Sequence, residues 1–106
     1  MKNLNMKDTL LMKIWKGMSK LTDEEIVVCK KAIDTFGVAE QQLKAVEEMG
    51  ELIQAIAKAL IGKEHNVEEE IADVEIMLTQ LKIMYDLKKI EEWKEFKINR
   101  LKRVVW

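Results

Sequence analysis

The chain has 106 residues, 48% hydrophobic and 35% charged, with 18 Lys or Arg against 19 Asp or Glu. That length suits a single domain, residues 1–106, with a modest core. The near balance of charge excludes an overall field directed at nucleic acid or an anionic membrane, so no stable nucleic-acid binding is expected. The lone Cys29 excludes an internal disulfide, no apolar run reaches membrane-spanning length, and the Lys-rich N-terminus lacks a secretory apolar region. The expectation is a cytoplasmic protein that stays off the membrane.

With no proline and four isolated glycines, the composition suits an all-α chain and gives strands little support. Five helical segments are expected. The first, around residues 3–17, places Leu4, Leu11, Ile14, Trp15 and Met18 on one side and lysines on the other. Thr22 and Glu25 form a capping-box pattern that opens a second, short segment, which Gly37 can stop in a left-handed conformation. A third runs from about Val38 to Ile61 and ends at Gly62. Asn66 with Glu69 caps a fourth, which runs to about Tyr85. Asp86 can cap a fifth, from about Leu87 to Arg103, whose late Lys and Arg residues suit the helix macrodipole.

Helical geometry then places the acids. At about 100° per residue, Val46, Met49, Ile53, Ile56 and Leu60 form one apolar stripe of the third segment, with Glu48 and Glu51 on nearly the opposite side. Small apolar residues, Ala45, Ala55 and Ala59, flank these acids where a solvated face would carry mixed charge. In the fourth segment the stripe Ile71, Val74, Leu78, Leu81 and Tyr85 continues into Met77. Glu70 projects between Val74 and Met77 with Asp73 beside it, so Glu70 is expected to be partly buried. Buried carboxylates repel one another and need compensation. Salt bridging is one remedy, but only Lys44 is well placed to provide a cation. A divalent metal held by Glu48, Glu51, Glu70 and Asp73 is the other. An all-oxygen donor set favours Mg²⁺, with Mn²⁺ as a substitute, and i, i+3 spacing lets two carboxylates of one helix share an ion.

The pattern E-x-x-E within EEMGEL and E-x-x-D within EEEIADVEIML, preceded by FGVAEQQLKAVEE, resembles the MazG-like all-α nucleoside triphosphate pyrophosphohydrolases, small phage-type members in particular, over about residues 36–103. The resemblance implies hydrolysis of a nucleoside triphosphate to the monophosphate and pyrophosphate, with the four acids binding Mg²⁺. It also implies a bundle of four to five helices completed by homo-oligomerisation, as a dimer or tetramer. Lys97 and Arg100 fall within the apolar arc of the fifth segment formed by Ile90, Trp93, Leu101 and Val104. They are expected to meet the substrate phosphates, together with Arg103 and Lys44.

Glu47 and Glu69, each adjacent to an expected ligand, are the candidates to orient or deprotonate the attacking water. The alternatives are a non-catalytic nucleotide- or metal-binding helical oligomer, and a structural oligomer whose acids are incidental. Trp15, Trp93, Tyr85 and Phe36 read as core, Cys29 as core filler and His65 as exposed. A second apolar strip on the fourth segment, Ala72, Ile76 and Ile83, requires cover that one small chain can hardly provide. The third and fourth segments are therefore expected at an interface between copies.

Overall fold

A computed structural model describes residues 23–106; the expected helix over residues 3–17, Trp15 and the Thr22 cap lie outside the described residues. Among the described residues four helices follow one another. Residues 23–36 form α1, Val38–Leu60 form α2, Val67–Met84 form α3 and Leu87–Val105 form α4. Among the described residues there is no strand, and no helix is long and apolar enough to cross a membrane.

The helix ends follow from local chemistry. At φ 94° Gly37 adopts a backbone that side-chain-bearing residues rarely take, and its N–H donates to the Ile33 carbonyl at 2.8 Å, so α1 stops and α2 begins at the next residue. Gly62, at φ 74°, closes α2 in the same region. Its N–H donates to the Ala59 carbonyl at 3.1 Å and the Lys63 N–H to that of Lys58 at 3.0 Å, the pair of bonds that defines a Schellman stop. Asp86 caps α4 as expected, its carboxylate accepting from the Lys89 N–H at 3.1 Å. Asn66 does not cap α3 with its side chain.

Packing centres on an antiparallel hairpin of α2 and α3. Gln42, early in α2, donates to the Tyr85 hydroxyl just past α3 at 2.7 Å, which fixes the two ends against each other. From α1, Cys29 reaches the Ile76 carbonyl of α3 at 3.8 Å and is buried, as expected of core filler. α4 meets α3 only lightly, through pairs such as Lys82 and Glu91 at 3.9 Å, and makes no contact with α2. The radius of gyration, 17.3 Å, compares with about 13 Å for a chain of this size packed as a globule.

The face that α2 turns inward corrects the expectation for its core. Ala45, Glu48 and Ala55 are buried against α3, whereas Val46, Ile53 and Leu60 are 69%, 68% and 82% exposed. A hairpin covers one side of each helix. The small alanines let the backbones approach closely on the acid-bearing side, which leaves the bulky stripe pointing out. α3 likewise buries Glu70, Met77 and Gln80 while Ile71, Ile76 and Leu78 stay nearly half exposed. The expected core aromatics Phe36, Tyr85 and Trp93 are also exposed within one chain.

Candidate metal centre

Three carboxylates meet where the middle of α2 faces the start of α3. One oxygen from each of Glu48, Glu51 and Glu70 lies within 4.8 Å of the others. Their convergence follows from the sequence: Glu48 and Glu51 are one turn apart on the alanine side of α2, and Glu70 sits in the first turn of α3, on the face that continues to Met77. Asp73, one turn further along α3 and half-buried, is not part of this convergence.

Glu48 and Glu70 are both more than nine-tenths buried, at 7% and 8% exposure. Each has one oxygen, Oε2, that is buried and has no hydrogen-bond partner. A buried carboxylate oxygen without a partner costs free energy, and here two of them belong to a single three-acid cluster. The outer oxygens are engaged. Lys44 Nζ lies 3.1 Å from Glu48 Oε1 and 3.8 Å from Glu47, while Asn66 Nδ2 donates to Glu69 Oε1 and Glu70 Oε1, both at 2.9 Å.

The electrostatics record the crowding. Glu51 has its carboxyl pushed above the ordinary range, first by a hydrogen bond shared with Glu48 and then by the charge of Glu48, with smaller contributions from desolvation, Glu70 and Glu47. In the absence of a cation, a proton held by Glu51 relieves the repulsion. The Lys44 ammonium is held charged to higher pH by its hydrogen bond to Glu48 and by the charges of Glu47 and Glu48. Three carboxylates, two of them buried with one unpartnered oxygen each, fit Mg²⁺ or Mn²⁺. His65 lies in the exposed loop, where its Nδ1 accepts from the Val67 N–H at 3.2 Å.

The expected phosphate contacts are placed differently. No residue of α4 is buried, so Lys97 and Arg100 do not sit on a buried face as the periodicity implied. Lys97 Nζ stands 5.8 Å from the Trp93 ring centre and Arg100 Cζ 5.9 Å from that of Phe96. The two rings themselves meet edge to face at 6.0 Å. These cations stack on aromatic surface in the open. Arg103 is exposed near the C-terminal end. Because α4 does not touch α2, one chain does not bring Lys97, Arg100 or Arg103 to the carboxylates; of the four cations, only Lys44 is there. An open groove of about 820 Å³ also runs along α4 past Tyr85, Trp93, Lys97 and Leu101, away from the acids.

Two features escaped sequence reasoning. Asn66 reads as a helix cap, but its amide serves the carboxylates instead. Gln80 is 3% exposed with an unpartnered Oε1; its position ten residues after Glu70 and three after Met77, on the same helical face, was the available signal. The chain matches no family model, and neither a curated protein nor a solved structure is significantly similar to it.

Proposed function

We propose that this chain is a MazG-like nucleoside triphosphate pyrophosphohydrolase, acting with Mg²⁺ on a nucleoside triphosphate, in particular a deoxynucleotide. The observation that carries the reading is the convergence of Glu48, Glu51 and Glu70 on the hairpin bearing the E-x-x-E and E-x-x-D motifs, with Glu48 and Glu70 buried and each retaining one unpartnered oxygen. An incidental acidic surface would be solvated, and its oxygens satisfied by water.

Glu48, Glu51 and Glu70 would hold the ion, with Asp73 one turn from Glu70 as a further oxygen donor. When bound, the ion provides charge neutralisation for the phosphate oxygens. Around it the side chains have separable tasks. Glu47 and Glu69 are exposed carboxylates next to the ligands, able to accept a proton from water as it attacks phosphorus in line. The bridging P–O bond between the α and β phosphates then breaks, and pyrophosphate departs. α4 carries seven Lys or Arg against three Glu. Lys97 and Arg100 hold the phosphates by charge and by the bidentate fork of Arg.

The exposed stripes of α2 and α3 support a homo-oligomer, a dimer or tetramer, in which assembly provides the juxtaposition of α4 with the acids that one chain lacks. The 3.1 Å Lys44–Glu48 ion pair favours a second reading, a non-catalytic metal- or nucleotide-binding oligomer with partly neutralised acids. Turnover separates the two. Incubation of the protein with each nucleoside triphosphate and Mg²⁺ should release pyrophosphate from at least one, and Glu48→Gln should abolish the release. Saturable Mg²⁺ binding with no pyrophosphate from any of them would select the second reading.

A further inference from the structure

A hydrogen-bond partner behind a carboxylate decides which of its oxygens faces an ion and strengthens the grip. Glu70 has such a partner. Asn66 Nδ2 donates one hydrogen to Glu70 Oε1 and the other to Glu69 Oε1, each at 2.9 Å, so both donor positions of the amide are used on carboxylates. The atom facing them must be the amide nitrogen, because carboxylates only accept. With Oε1 held on the loop side, Glu70 Oε2 is the oxygen that is buried and unpartnered.

The local backbone gives this arrangement weight. Asn66 occupies the position preceding α3, where Asn is among the best capping residues and a side-chain cap stabilises a helix by about 1 kcal/mol. Its side chain makes no such bond. The Val67 N–H, which a cap at Asn66 would not reach, donates to His65 Nδ1, and the Asn66 carbonyl accepts from the Glu70 N–H at 3.1 Å, as the ordinary first bond of the helix. A residue that forgoes its own cap and turns its amide onto two acids acts on those acids.

We propose that Asn66 is a positioning residue for the ion centre: by holding Glu70 Oε1, and Glu69 beside it, it presents Glu70 Oε2 to the ion as a single, preoriented donor. The inference rests on the ion-binding part of the proposed function. Hydrogen-bond partners behind metal ligands fix their orientation, and losing one commonly weakens metal binding by about 10- to 100-fold.

Asn66→Ser distinguishes positioning from capping. Serine caps a helix as well as asparagine does but is too short to hold both carboxylates. Mn²⁺ binding to the full chain, followed by electron paramagnetic resonance of the free ion, should weaken about tenfold or more in Asn66→Ser. The melting temperature in chelator should equal or exceed that of wild type, because the cap is regained. Asn66→Ala should lose the same affinity without gaining the cap. Unchanged Mn²⁺ affinity in both variants, with wild type binding the ion saturably, would overturn the positioning role and leave the ion centre standing. No saturable Mn²⁺ uptake by wild type would remove both.

Discussion

Glu51 is where the crowding of the three acids can be read by titration. Its carboxyl titrates above the ordinary value near 4.5 because protonated Glu51 hydrogen-bonds to Glu48 and relieves the charge there. A raised folded-state value means that the folded chain holds this proton more tightly than the unfolded chain does. The contribution to stability is therefore full below the ordinary carboxyl range and is lost as pH rises through the raised value. In chelator, the melting temperature of wild type relative to Glu51→Gln should fall as pH is raised from about 4 toward neutrality. A difference that stays flat over that range would show that the folded chain does not hold a proton on Glu51 more tightly than the unfolded chain does. At this scale the sequence was informative about residue type and spacing, which placed the acids. It was blind to Asn66, since an asparagine before a helix has the same spelling whether its amide serves the backbone or a carboxylate.

At the scale of the helices, boundaries were legible because they depend on neighbouring residues. Gly37, Gly62 and Asp86 each stop or start a helix by a local bond. The buried face of α2 was not legible, because it depends on what packs across from it. Periodicity separates a bulky stripe from an alanine-and-acid stripe, and hydrophobicity alone assigns the bulky one to the core. Within the chain the hairpin instead buries Ala45, Glu48 and Ala55, and Ile53 is 68% exposed. An outward stripe of this kind is suited to self-association. Sedimentation at micromolar concentration should give an oligomer for wild type, and Ile53→Lys should shift it toward the mass of one chain while leaving the helical circular dichroism intact. A wild-type mass of one chain would contradict this reading of α2, and an Ile53→Lys chain that loses its helix would show that the stripe is internal.

For the molecule as a whole, stability couples the carboxylates to the ion. Two like charges about 5 Å apart repel by roughly 3 kcal/mol at an effective dielectric near 20, before relaxation and screening. Glu70→Gln removes one of the charges and keeps the shape. Its carbonyl can still accept from Asn66, while its amide can donate to the remaining acids, so the orphaned oxygen is replaced by a satisfied donor. Thermal melts of wild type and Glu70→Gln, in chelator and then in millimolar Mg²⁺ at low ionic strength, test the ion centre most directly. In chelator the variant should melt at or above wild type. In Mg²⁺ the order should reverse, because only wild type gains the full free energy of binding. A variant that is less stable in chelator, together with a wild type that Mg²⁺ leaves unmoved, would make Glu70 a structural acid and contradict the ion centre and the catalytic reading built on it.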